Sequence, residues 1–271
     1  KIISLYGSKK KPSKEDLVDL DIIIFDLMDI GSRYYTYIST LTFIMEVAAE
    51  NDIQVLILDR PNPIGGYYID GPIMQKEFYS FVGMHPIPIR HGMTIGELAW
   101  MINEEHWLQN KQKCELLIIP VKGWDRKRTF DQIDSEWIKP SPNIPNFETA
   151  LIYSGMCLLE GTNISEGRGT LKPFISFGAP WINPNELLAE LNKYNLSGLK
   201  FTQTSFTPKN ILGQAINPKY KGQRCYGLEI EITNFDFVQP IQAAMLIIKT
   251  IKSLYPEQFE FNSTNYIDKL Y

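Results

Sequence analysis

The sequence predicts an α/β chain: a lobe built on a parallel sheet, followed by a smaller α+β lobe. Three observations carry this. Apolar runs at Asp21-Ile-Ile-Ile-Phe-Asp-Leu27, Ile53-Gln-Val-Leu-Ile-Leu58 and Cys114 to Val121 are bounded by polar residues, the mark of strands buried on both faces. Between the first two, apolar residues recur at Leu41, Ile44, Met45 and Ala48, a helical spacing. From Leu199 to Phe206 and Tyr226 to Thr233 the pattern becomes an apolar–polar alternation, which suits half-exposed antiparallel strands.

Taken in order, Lys1 to Leu5 reads as a short strand, and Ser13 as the N-cap of a short helix through Leu20. The two apolar runs that follow, with the helix between them, form a β-α-β unit whose strands should be parallel with a right-handed crossover. Thr94 caps a helix through about Trp107, with Glu97 at the capping-box position. The prolines from Pro140 to Pro145 read as the crossing to the second lobe, placing the domains at 1–145 and 146–271. There Asn146 caps one helix, Asn183 with Pro184 starts another to about Tyr194, and Pro240 opens a last one ending near Tyr255.

With 271 residues, 44% hydrophobic and 21% charged, the chain can bury a sizeable core. A net charge of −4 gives no general attraction to nucleic acid or anionic membranes, and no apolar run is long enough to span a bilayer. Cys114, Cys157 and Cys225 are far apart, in neither a disulfide framework nor a zinc spacing. No glycine-rich dinucleotide or phosphate fingerprint follows either strand of the β-α-β unit, which argues against a nucleotide cofactor.

One stretch concentrates the chemistry: Cys157-Leu-Leu-Glu-Gly-Thr-Asn-Ile-Ser-Glu-Gly-Arg-Gly-Thr170. It holds Glu160, Glu166 and Arg168 among hydroxyls, an amide and three glycines, a composition suited to gripping a polar ligand as well as to a solvated loop. A second group stands where ligands of open α/β sheets bind, beyond the strand ends: Asp26, Asp29, Arg33, Asp59, Arg60 and Asn62. A structural reading is open there too, with Asp29 capping the next helix and Arg60 paired to it. His91, beside Arg90 and Gly92, is the one loop histidine.

No Gly-x-Ser-x-Gly elbow is present, and the histidines do not make a metal ligand set, although a carboxylate-only magnesium site stays open. Carboxylates, arginines and aromatics fit glycoside hydrolysis, which needs an acid for the leaving oxygen and a second group at the anomeric carbon. Tyr35, Tyr37, Trp124 and Trp181 offer faces for sugar stacking, and arginine forks suit a substrate carboxylate.

Five collinear motifs give a resemblance over nearly the whole chain. They are Asp26-Leu-Met-Asp-Ile-Gly-Ser-Arg-Tyr-Tyr-Thr-Tyr37, Leu58-Asp-Arg-Pro-Asn-Pro-Ile-Gly-Gly66, Pro88-Ile-Arg-His-Gly-Met-Thr-Ile-Gly-Glu97, Lys139-Pro-Ser-Pro-Asn143 and Leu159 to Thr170. Together they resemble the exo-β-N-acetylmuramidase family of peptidoglycan-recycling glycosidases. The resemblance implies a Rossmann-like first lobe, an α+β second lobe, a site in the cleft between them, and no cofactor. It implies release of N-acetylmuramic acid from the non-reducing end of a sugar or muropeptide substrate, and hence export to the periplasm or cell surface. It also implies an upstream strand–helix segment with a Gly-Pro-Glu-His-Gly motif, whose glutamate is a leading catalytic candidate. On this likeness the 271 residues are expected to begin after that segment and to stop short of the usual C-terminal end.

On this reading Glu166 is the acid/base or charge-stabilising group, with Glu160 as second carboxylate. Asp29, Arg33, Tyr35, Asn62, Arg90, His91, Asn163 and Arg168 are expected to bind the substrate, and no metal is expected. Two other functions stay open, a non-catalytic muropeptide-binding protein and a carboxylate-based metal-dependent hydrolase.

Overall fold

The computed structural model describes residues 2–5, 7–262 and 270. The chain divides into two compact units, Lys1–Ser135 and Glu136–Tyr271, nearly equal in length. The division falls ten residues before the boundary expected from the proline-rich crossing.

In the first unit the strands β1 (Ile22–Phe25), β2 (Gln54–Leu58) and β3 (Leu116–Ile119) form, among the described residues, a parallel sheet in the order β1-β2-β3. The register pairs Ile23 with Val55 and Val55 with Leu116. Helix α1 (Tyr37–Glu50) crosses from β1 to β2, and α2 (Ile95–Glu104) lies between β2 and β3. Both helices pack on one face, where Phe25, Val55 and Ile57 meet Leu41, Met45 and Ala48 of α1 and Leu98 and Ile102 of α2. Right-handed crossovers that step through the sheet in one direction place successive helices on the same side.

The strands are therefore not buried on both faces, as their continuous apolar runs predict. Ile22 and Ile24 of β1 are 47% and 60% exposed, and Leu117 and Ile119 of β3 are also open. Nor do residues 2–5 form the expected strand. The helix expected from Ser13 to Leu20 shrinks to one 3-10 turn, Lys14–Asp16. Asp16 bonds back to the backbone N–H and hydroxyl of Ser13, and a left-handed Asp19 (φ 63°) ends the turn.

The α2 start behaves as its sequence dictates. Thr94 Oγ1 accepts from the Glu97 N–H while the Glu97 carboxylate accepts from the Thr94 N–H. Asp59, at the end of β2, adds a second brace by accepting from Gly96 N–H and Thr94 Oγ1 at 2.8 Å each.

Under α1, the buried His85 ring stacks on Trp107 and its Nε2 is 2.8 Å from Thr42 Oγ1. Burial pushes its pKa down to about 4. The unfolded chain then binds a proton that the folded chain rejects, so stability is complete above about pH 6.5 and falls as pH drops toward 4. We expect a loss of up to about 3 kcal/mol over that window. His85→Gln should flatten the dependence in urea titrations at a series of pH values, and an unchanged slope would refute the assignment.

The second unit opens with α3 (Phe147–Met156), capped by Asn146 Oδ1 on Thr149 N–H at 3.0 Å and running into a 3-10 turn, Cys157–Gly161. Its antiparallel sheet has the order β4-β6-β5, from β4 (Ser176–Ala179), β5 (Leu199–Phe206) and β6 (Cys225–Ile232). Helix α4 (Pro184–Asn192) starts on the expected Asn183 cap, and α5 (Pro240–Leu254) packs along α3. The β4 strand is not apparent in the sequence: four small or buried residues carry no alternation. Its Gly178 faces Gly227 of β6, where a Cβ on either glycine would come within 3.0 Å of the opposite backbone.

Candidate functional site

In the second unit the polar stretch turns from the end of α3 into β4. Ser165 bridges to Gly178 through both backbone hydrogen bonds (2.9 and 3.0 Å), and Glu166 O accepts from Phe174 N–H, so the segment is fixed on either side of Glu166. Gly167 and Gly169 both adopt φ of 78°, and a Cβ there would sit 2.4 Å from Ser176 O and 2.5 Å from Lys209 O. These two glycines are required by backbone handedness and by close approach.

The turn buries Glu166 to 4% exposure and surrounds its carboxylate with cations. Arg168 Nε lies 3.7 Å from Oε1, and Lys219 Nζ lies 3.0 Å from Oε2 as an ion contact, off the line of a hydrogen bond. Arg168 is itself held by Glu160, whose Oε1 accepts from Nε at 3.0 Å and from Nη2 at 2.6 Å. Its guanidinium also stacks over the Phe174 ring, 5.0 Å from the centroid. Burial works against the Arg168 charge, but Glu160 and Glu166 more than offset it and raise its pKa. Behind this row, burial pushes the Tyr153 phenol and Cys157 thiol upward, keeping both neutral.

Sequence reasoning pointed to Glu160, Glu166 and Arg168, and the fold brings all three together. Asn163 belongs to the same stretch, yet both ends of its amide bond to the main chain, Nδ2 to Gln258 O at 2.7 Å and Oδ1 to Glu260 N–H at 3.1 Å. Sequence reasoning missed Lys219. It stands in a separate turn about fifty residues downstream, and a single lysine in Pro-Lys-Tyr-Lys carries no signal of its own.

In the first unit, Asp29, Arg33, Asn62, Arg90 and His91 gather in the loops after β1 and β2 and before α2. Asp29 Oδ2 accepts from Gly31 N–H at 2.7 Å and lies 3.2 Å from His91 Nε2. The N–H of Met93 donates to His91 Nδ1, so the ring proton sits on Nε2 and points at Asp29. Asn62 accepts from Ile64 N–H and donates to Met93 O. Gly31 (φ 76°) lets that amide approach, since a Cβ there would be 2.3 Å from Asn62 Oδ1.

Arg33 Nη1 donates to Pro72 O and Ile87 O, while Arg90 Nη2 donates to Ile64 O. Burial lowers the pKa of both, Arg90 to about 10. These candidates thus brace one loop cluster with their own polar groups. Buried Asp29 Oδ1 has no hydrogen-bond partner among the described residues. Arg60 pairs with Asp26, rather than with Asp29 as the structural reading had it, and the N-cap of α1 is Thr36.

The aromatic candidates separate. Tyr35 is buried in edge contact with Tyr37, and Trp181 donates to Tyr220 OH at 3.3 Å. Trp124 lines a cavity of about 610 Å³ with Trp100, Met101, Glu105 and Arg126, beside the ends of β2 and β3. Among the described residues no group of three His, Cys, Asp or Glu is placed to hold a metal ion, and no helix is long and apolar enough to cross a membrane.

Residues 1–148 match a family model described as exo-β-N-acetylmuramidase NamZ, N-terminal, and residues 151–271 match its C-terminal counterpart. The chain belongs to the NamZ family. The peptidoglycan β-N-acetylmuramidase NamZ of Bacillus subtilis (strain 168) is 46% identical over 269 residues, which is 99% of this chain and 62% of that protein. The chain thus spans less than two thirds of that NamZ relative. Two crystal structures of DUF1343 family proteins from Bacteroides fragilis NCTC 9343 share the fold. One matches with a TM-score of 0.89 and 33% identity, covering 98% of this chain and 68% of that one. The other matches with a TM-score of 0.74 and 35% identity, covering 96% and 67%.

Proposed function

We propose that the protein is an exo-acting glycoside hydrolase that releases N-acetylmuramic acid from the non-reducing end of peptidoglycan fragments. The observation that carries this reading is Glu166, a buried carboxylate fixed between two cations in a chain 46% identical to a peptidoglycan β-N-acetylmuramidase. Hydrolysis passes through an oxocarbenium-like state, and an anion held rigidly beside the anomeric carbon stabilises the developing positive charge or handles the proton. Arg168 is bound to Glu160 through Nε and Nη2, which leaves the Nη1 edge for the lactyl carboxylate of the sugar. In this reading Glu160 keeps that guanidinium in place. A substrate drawn from the wall implies export to the periplasm or cell surface.

The lactyl group gives the test. An aryl β-N-acetylmuramide should be hydrolysed, while the aryl β-N-acetylglucosaminide, which lacks the lactyl ether, should be at least about a hundredfold poorer in kcat/KM. Equal rates would remove the assigned role of Arg168 and the muramic specificity with it. Arg168→Lys keeps the charge and loses the fork, so it should raise KM for the muramide by about tenfold.

A further inference from the structure

We propose that Lys219 is a positioning residue for Glu166, holding the carboxylate at its working place through the turn that carries it. The inference rests on the reading of Glu166 as the group acting at the anomeric carbon.

An ammonium has three hydrogens, and two of them are taken by backbone carbonyls while the charge faces Glu166. Lys219 Nζ donates to Leu159 O at 2.8 Å and to Ile164 O at 2.9 Å, and faces Glu166 Oε2 at 3.0 Å. The two carbonyls lie in the middle of the 3-10 turn and just before Ser165, so one side chain ties both approaches of the motif to its carboxylate.

The lysine is also anchored from its own side. Lys209 N–H donates to Gly169 O, Gly222 N–H donates to Pro208 O, and Lys221 N–H donates to Pro218 O, which holds the 208–222 loop closed against the motif. The neighbouring Tyr220 OH accepts from Trp181 Nε1. With two hydrogens on backbone carbonyls and its charge turned to Glu166, Lys219 is already engaged inside the turn, and the open edge of Arg168 is the one left for a substrate carboxylate. The two cations at Glu166 therefore divide the work: Lys219 fixes the carboxylate, and Arg168 meets the ligand.

Lys219→Met keeps the apolar stem and removes the ammonium. We expect kcat for the muramyl substrate to fall about ten- to hundredfold, with KM within about twofold, because the defect is in placing a reacting group. Lys219→Arg should recover part of the loss. In a Glu166→Gln background Lys219→Met should cost less than about twofold more, since a residue acting through Glu166 has nothing left to position. Multiplying losses, or an unchanged kcat in Lys219→Met, would overturn the proposal. If Lys219→Met does not fold, Lys219→Gln carries the same cycle, keeping amide donors for the two carbonyls without the charge. Wild-type protein that releases no sugar would refute the functional reading instead. The cycle read by thermal melting then decides the pairing alone: coupled shifts support it, and additive shifts overturn it.

Discussion

Glu166→Gln is expected to cut turnover by about a hundredfold or more and to leave the protein folded. The substitution keeps the shape of the side chain and removes its charge and proton chemistry. The backbone that frames it, the Ser165–Gly178 bridge and the Phe174 hydrogen bond, is untouched. Arg168 keeps its partner in Glu160, so the variant leaves one cation, Lys219, short of a counter-charge. General acid–base or electrostatic assistance of this kind is worth about 10²- to 10⁴-fold, and kcat should fall by that factor with little change in KM. The check is steady-state kinetics on the muramyl substrate beside a thermal melt. A variant within about tenfold of wild type would show that Glu166 does not act at the reacting centre.

Gly155→Ala should strongly destabilise the second unit. A glycine inside a helix is ordinarily unfavourable, and alanine at a free helical position would gain about 1 kcal/mol. Here the added Cβ would stand 1.9 Å from Pro240 O and 2.3 Å from Pro240 C, where α5 begins against α3. The obstructing atoms are backbone, and every residue of α3 from Thr149 to Met156 is buried, so the helix has nowhere to shift. Overpacking of that kind costs about 3 kcal/mol or more, and it wins over propensity. Urea denaturation should show the loss, with a fall in Tm on the order of 10 °C. An unchanged or higher Tm would mean that α3 and α5 do not cross so closely at Gly155.

Local signals proved the most legible in the sequence. Thr94 with Glu97, Asn146, and Asn183 with Pro184 each start a helix where their chemistry demands, because a cap depends on three or four neighbouring residues. The parallel β1-β2-β3 sheet was legible from its apolar runs, and the antiparallel β5–β6 pair from alternation. What lay out of reach was set by distant partners. The same apolar run serves a strand covered on one face or on two, so the open side of Ile22 and Ile24 could not be read from it. Strand β4 is specified by the close approach of Gly178 to Gly227, about fifty residues away in sequence.

The site divides in the same way. Glu160, Glu166 and Arg168 were legible because eight or fewer residues separate them and glycines crowd the turn. Asn163 gave the same polar signal, but its amide ties the turn to residues 258–260. Lys219 reaches Glu166 only through a loop whose own packing the sequence does not announce. The arginines after the strands gave a composition suited to a substrate carboxylate. Their hydrogen bonds to Pro72, Ile87 and Ile64 carbonyls emerge only once the loops are folded.

The most direct test of the account is the product released from two isomeric disaccharides. The account predicts free N-acetylmuramic acid from the muramyl-glucosaminyl disaccharide, and none from the glucosaminyl-muramyl isomer. Release from the isomer instead, or from neither, would contradict it.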